Sequence, residues 1–194
     1  MALPHISTQS LPTLLFLTLL ALFPPASAAP AESPLHLLAQ PDHFALVRHA
    51  LAPGTGDPGG FDVNNCATQW NPNDAGRAEA LGRQLRAAGI GQARVFSSQW
   101  CRCLDTARLL GLGEVVAQPL LNSFFGRPER RESQLEGLQA WLGQQPMSAP
   151  TVLVTHQVVI TGLTGVYPAS GEVLIVKRED AGPLTVVARV SAGL

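Results

Sequence analysis

Two stretches of this sequence stay apolar over the length of a strand and then stop at polar, chemically capable residues. Phe44-Ala45-Leu46-Val47 ends at Arg48-His49, and Thr151-Val152-Leu153-Val154-Thr155 ends at His156. Uninterrupted runs of this kind suit strands buried on both faces of a parallel sheet. Arg94-Val95-Phe96-Ser97-Ser98 predicts a third short strand, and residues 114–118 a fourth. Between them the spacing turns helical. Ala78, Leu81 and Leu85 share one face of a helix that Asn73 or Asp74 can cap and Gly89 can stop. A second helix is predicted from about Trp100 to Leu110, ended by Gly111, and a third from about Ser133 to Leu142, ahead of Pro146 and Pro150. Val158 to Leu163 can begin a fourth. Residues 172–178 and 184–190, on either side of Gly182-Pro183, read as a terminal hairpin. Strands alternating with helices predict an α/β domain: a three-layer αβα sandwich with a mostly parallel sheet.

Two segments fit neither period. Residues 50–72 carry four glycines and three prolines and are expected to be mostly loop, and a loop of that length is usually functional. Residues 119–133 are irregular and rich in arginine. Arg127, Arg130 and Arg131 read as a solvated loop in preference to a second anion site.

Ligands of open parallel sheets bind beyond the carboxyl ends of the strands. Three predicted strands end in Arg48-His49, in Ser97-Ser98 leading to Arg102, and in Thr155-His156. A parallel sheet would bring two guanidinium and two imidazole groups to one rim. That is an anion site, because the guanidinium fork matches a phosphate edge bidentately.

Composition narrows the setting. With 46% hydrophobic residues and 14% charged residues, the 194-residue chain can bury a sizeable core, and its formal net charge of −1 argues against a nucleic-acid surface. The first 31 residues hold no Lys, Arg, Asp or Glu. Leu14–Phe23 is a short apolar run followed by Pro24-Pro25 and Ala26-Ser27-Ala28, the order of a secretory signal peptide cleaved after Ala28. The run is too short to span a membrane, which takes roughly 20 residues. The n-region holds only His5, so an uncleaved anchor is the competing reading. The expected organisation is a signal peptide over 1–28, an N-terminal extension over 29–41 and one domain over 42–194, periplasmic or secreted and with no stable membrane insertion after cleavage.

Cys66, Cys101 and Cys103 are too few for a disulfide framework, and Cys101-x-Cys103 lacks the spacer of a zinc knuckle, so no metal is expected. Cys66 lies in the loop after His49, while the other two flank Arg102. Residues two apart on a helix point in nearly opposite directions, so only one of them can face Cys66. A disulfide of Cys66 with Cys101 or Cys103 is expected, leaving one free thiol. Trp70 and Trp100 are expected to pack, although either could wall a substrate pocket.

Leu46-Val47-Arg48-His49-Ala50 resembles the Leu-Val-Arg-His-Gly signature of the histidine phosphatase (phosphoglycerate mutase-like) superfamily, with Ala in place of the usual Gly. Ser97-Ser98-Gln99-Trp100-Cys101-Arg102-Cys103-Leu104-Asp105-Thr106-Ala107 is similar to its Ser-Ser-x-x-x-Arg-x-x-x-Thr-Ala segment, and Val152-Leu153-Val154-Thr155-His156 to its strand ending in a second histidine. The matches follow the family order across most of residues 42–165. Asn73-Asp74-Ala75-Gly76-Arg77 fits that family's helix start only loosely.

The resemblance implies a phosphoglycerate mutase-like fold and a phosphatase for a small phosphorylated substrate, needing no cofactor. His49 would attack phosphorus to give a phosphohistidine that water hydrolyses, and Arg48, Arg102 and His156 would hold the equatorial oxygens. A phosphatase is favoured over a mutase. Exported relatives suggested by the resemblance include phosphatases acting on phosphorylated heptose of lipopolysaccharide core. The chain departs from the family at the proton donor: the mutase-like branch has a Glu where this chain has Asn122, and the acid-phosphatase branch has an Asp where it has Gln157. Asp57 and Asp62 in the long loop are the candidate acids, Asp57 first, with Glu129 behind them. Gly54-Thr55-Gly56, with Thr55 as a substrate contact, could offer backbone donors to phosphate. A substrate with a good leaving group, such as an acyl phosphate or phosphoramidate, would need the acid less. The missing acid also motivates an alternative: a non-catalytic phosphate- or phosphosugar-binding module of the same fold.

Overall fold

A computed structural model describes residues 33–72, 74–179 and 183–191. The strands are β1 (His43–Arg48), β2 (Arg94–Ser97), β3 (Val115–Ala117), β4 (Thr151–Thr155), β5 (Glu172–Lys177) and β6 (Thr185–Ser191). The helices are α1 (Ala75–Ala87), α2 (Cys101–Leu110), α3 (Arg131–Gln144) and α4 (Gln157–Thr164). One six-stranded sheet runs in the order β3-β2-β4-β1-β5-β6. The first four are mutually parallel, while β5 and β6 add the expected antiparallel hairpin.

Side-chain alternation along β1 explains the layers. Ala45 and Val47 join Leu81 and Leu85 of α1 and Ala107 and Leu110 of α2 in one core. Phe44 and Leu46 face the other way, into a second core with Leu135 and Leu138 of α3 and Val159 and Ile160 of α4. Both faces of β1 and β4 are thus covered, which is why their sequences read as unbroken apolar runs. The three-layer αβα sandwich is present.

Local chemistry sets the helix ends. Asp74 caps α1, its carboxylate accepting from Arg77 N at 3.2 Å and from Arg77 Nε at 2.7 Å; Asn73, the other expected cap, lies outside the described residues. Gly111 ends α2 in the left-handed region at φ 63°, where a glycine has no steric penalty. Gly82 lets α1 approach α2, since a Cβ there would collide with the Leu110 carbonyl.

The structure differs from the sequence reading in three places. Residues 34–39, read as part of an N-terminal extension, form a 3-10 helix whose Leu35 and Leu38 are buried in the α1–α2 core. Residues 119–133 are less irregular than expected, with 3-10 turns at Pro119–Leu121 and Pro128–Arg130. The second turn runs directly into α3, which therefore starts at Arg131 instead of Ser133. Each turn begins with proline, whose fixed φ and missing N–H suit a helical first position. The signal segment, 1–28, lies outside the described residues.

Candidate active site

The carboxyl ends of β1, β2 and β4 meet at one rim, and the backbone there is pinned. His49 N donates to Thr155 O at 3.0 Å, Ser98 N to Val154 O at 2.9 Å, and Gly171 N to the carbonyls of Arg48 and His49 at 3.1 and 3.2 Å. Arg102 enters from the first turn of α2. One turn further along, Thr106 Oγ1 donates to the Arg102 carbonyl at 2.7 Å and accepts from Ala50 N at 3.0 Å. This hydroxyl ties the chain carrying His49 to the helix carrying Arg102.

Arg48, His49, Arg102 and His156 line one cavity of about 310 Å³, together with Thr55 and Asp57 of the long loop. His49 Nδ1 lies 2.8 Å from the Ala50 carbonyl. A carbonyl can only accept, so Nδ1 carries the proton and Nε2 keeps its lone pair. Arg102 Nε donates to that Nε2 at 3.2 Å. Burial first, then the Arg102 and Arg48 charges, lower the His49 pKa to about 4, against an opposing effect of the Ala50 carbonyl. The ring is therefore neutral at ordinary pH.

His156 is more deeply enclosed. Burial, followed by the charges of His49, Arg102 and Arg48, holds its pKa well below the usual histidine range. Its Nε2 lies 2.9 Å from Ser98 Oγ, whose hydroxyl faces Asn122 Oδ1 at 3.1 Å. The same Nε2 lies 3.4 Å from the Cys103 sulfur. The single Ser98 proton goes to Asn122, so Nε2 carries the proton of the neutral ring and donates to Ser98 Oγ, and Nδ1 keeps its lone pair.

Arg48 NH1 donates to the Pro168 carbonyl at 2.9 Å, and the guanidinium lies 6.0 Å from the Tyr167 ring centre. Arg48 Nε and Arg102 NH1 are buried donors with no hydrogen-bond partner. A buried N–H without an acceptor costs about 1–3 kcal/mol, more when charged. Both belong to arginines that line the cavity with His49, so the site holds donors for which the protein supplies no acceptor.

The positions expected to hold an acid are occupied differently. Asn122 Oδ1 accepts from Gln99 N at 2.9 Å as well as facing Ser98, and its amide donates to Gln99 Oε1 at 2.8 Å. Gln157 lines the cavity, but its amide donates to Thr161 Oγ1 at 2.9 Å. Among the described residues lining the cavity, Asp57 is the only carboxyl. Trp100 Nε1 donates to its Oδ1 at 2.8 Å, and Arg102 NH2 lies 3.6 Å from the same oxygen. Asp62 and Glu129 are not brought to this cavity: Asp62 caps its own loop through Asn64 N at 2.9 Å, and Glu129 is exposed in the turn before α3. Arg127 and Arg130 line a separate hollow with Asp62, Trp100 and Asn122.

Cys66 and Cys101 form a disulfide, and Cys103 is free and buried, its thiol pushed up to about 12 chiefly by burial. The bridge fixes the long loop to the start of α2, next to Arg102. Gln69 reinforces it, accepting from Cys101 N at 2.8 Å while its amide donates to the Asp62 and Val63 carbonyls at 2.8 and 3.1 Å. Trp70 lines the cavity, and Trp100 is buried between Phe61 and His156. Sequence reasoning assigned no role to Gln69, Ser98 or the cavity-mouth residues Leu51, Phe125 and Tyr167. Ser98 sat inside a recognised motif, whereas Gln69 carried no local signal. Among the described residues, no group of three or more His, Cys, Asp or Glu could hold a metal, and no helix is long and apolar enough to cross a membrane.

No protein-family model matches the sequence, and no curated protein matches it. Solved structures do. The protein histidine phosphatase SixA, solved with tungstate, is 15% identical with a TM-score of 0.56, covering 77% of this chain and 97% of that one. A mutant phosphoserine phosphatase from Entamoeba histolytica, solved with phosphoserine, is 16% identical with a TM-score of 0.54, covering 77% and 97%. The mycobacterial glucosyl-3-phosphoglycerate phosphatase, solved with VO3, is 15% identical with a TM-score of 0.55, covering 76% and 98%. These neighbours are members of the histidine phosphatase, phosphoglycerate mutase-like superfamily. The chain has their fold, the one its three motif segments resemble.

Proposed function

We propose that this chain is a histidine phosphatase, hydrolysing a small phosphomonoester through a phosphohistidine on His49. The observation that carries the reading is the pair of unpartnered buried donors, Arg48 Nε and Arg102 NH1, on arginines that share one cavity with the unprotonated Nε2 of a neutral His49. The likeness in fold to phosphatases supports it.

In the first step the Nε2 lone pair forms a bond to phosphorus while the bond from phosphorus to the leaving oxygen breaks. Arg48 and Arg102 receive the equatorial oxygens, where charge is spread in the transition state, and the phosphoryl charge draws a proton onto His156 so that its ring also donates. The leaving oxygen takes a proton from Asp57. Both protein contacts of that carboxyl are made by Oδ1, which leaves Oδ2 to carry the proton. In the second step water attacks phosphorus, the N–P bond returns its electrons to Nε2, and Asp57 takes a proton from the water. Thr55 serves as a substrate contact from the loop. The chemistry requires no cofactor, because the guanidinium groups supply the positive charge.

We also place the mature enzyme outside the cytoplasm, in the periplasm or secreted, after removal of residues 1–28. The Cys66–Cys101 bridge supports an oxidising compartment. Incubation with p-nitrophenyl phosphate tests the function. Turnover that disappears in His49→Ala is expected; oxyanion binding without turnover would instead mark a phosphate-binding module.

A further inference from the structure

The described residues expose five large hydrophobic side chains: Leu51, Val116, Phe125, Tyr167 and Val187. Val116 and Val187 belong to the edge strands β3 and β6. The other three come from separate parts of the chain, yet all border the cavity over His49, and they are 50%, 54% and 66% exposed. The Phe125 ring leans over the long loop: a Cβ built on Gly56 would lie 3.6 Å from its Cε1. Pro53 and the Trp70 ring extend the lining, with Trp70 Nε1 a buried donor that has no partner. Apolar groups gathered at the mouth of a site and left open to water mark a surface that something apolar covers.

The charges at the same mouth point the same way. Among the described residues, Arg48 and Arg102 are the only arginines or lysines lining the cavity, and the proposed chemistry uses both for the phosphoryl group. Arg127 and Arg130 line the other hollow. A carboxylate or second phosphate on the leaving group would lose water without meeting a cation, and the nearest charged group left to it would be Asp57. For a sugar the cavity offers the hydroxyls of Thr55, Ser123 and Ser170, so glucose 6-phosphate is the competing probe.

Resting on the phosphatase reading of this site, we propose that the leaving group of the substrate is uncharged and apolar, an aryl or alkyl alcohol seated against Leu51, Phe125 and Tyr167. Hydrolysis-resistant phosphonates test this by titration calorimetry on the purified protein. Phenylphosphonate should bind tighter than methylphosphonate by on the order of tenfold, and phosphonoacetate no tighter than methylphosphonate. In a variant carrying Leu51→Ser and Phe125→Ser the phenyl advantage should shrink to about twofold or less. The proposal is overturned if phosphonoacetate or glucose 6-phosphate binds best, if phenyl and methyl bind alike, or if the advantage survives in the double variant. Failure of every phosphonate to bind would overturn it too, and that result alone would also strike the anion site and the phosphatase reading beneath it.

Discussion

Arg102 Nε and His49 Nε2 lie 3.2 Å apart, so the guanidinium addresses the lone pair proposed as the nucleophile. An incoming phosphoryl group must enter between them, and Arg102 can then turn its donors to the phosphoryl oxygens. Arg102→Ala should lower kcat by about 10²–10³, the usual cost of losing one donor to developing charge. Arg102→Lys should recover little of it, because an ammonium group lacks the planar fork. Steady-state kinetics on both variants checks this, and a lysine variant near wild-type rate would contradict it.

The pH dependence follows from the His49 environment. Its pKa of about 4 means the ring becomes protonated, and so non-nucleophilic, only as pH falls through that value. With substrate ionisation corrected for, kcat/KM should stay flat from neutrality to about pH 5 and fall about tenfold per unit below pH 4. An acid limb centred near 6.5 would contradict the burial argument. Stability carries the same sign: the unfolded chain, with an ordinary histidine, binds more protons than the folded one between about 6.5 and 4. Folding stability should thus decline as pH drops through that window, and His49→Asn should lessen the decline, leaving the part that His156 contributes.

Asp57 can be separated from the phosphate-holding residues by the choice of substrate. Asp57→Asn keeps an oxygen for Trp100 Nε1 but cannot deliver a proton. Hydrolysis of an alkyl phosphate should slow by about 10²–10⁴, while p-nitrophenyl phosphate, whose leaving group needs little help, should slow far less. Equal losses on both would assign Asp57 to positioning Arg102, 3.6 Å away, and not to proton transfer.

The disulfide gives a chemical count. Unfolded under non-reducing conditions, the mature chain should show one titratable thiol, that of Cys103. Reduction should free the long loop from α2 and raise KM, since Thr55, Asp57 and Trp70 all reach the cavity from that loop. Three thiols before reduction would contradict the bridge.

The layers were readable because β1 and β4 are buried on both faces and advertise it as unbroken apolar runs. The four principal groups could be read for a similar reason: in a parallel sheet, whatever ends a strand ends it at the same rim. The choice between Cys101 and Cys103 could not be made from sequence, because it depends on how α2 is rotated about its axis. Asp57 is the favoured acid from sequence, but nothing local separates it from Asp62. The loop folds back so that Asp57 meets Trp100, while Asp62 is spent on an internal turn held by Gln69 and Thr68. Leu35 and Leu38 escaped notice because a six-residue 3-10 helix is too short to show a period, and Phe125 and Tyr167 because their exposure is a property of the cavity and not of any local pattern.

The central claim, a covalent bond between His49 and phosphorus, can be measured directly by rapid quenching during turnover of a ³²P-labelled aryl phosphate. The account predicts protein-bound label that is lost in acid, survives base, and maps to the peptide containing His49. Active protein whose quenched samples hold no such label, or hold it on another residue, would contradict it.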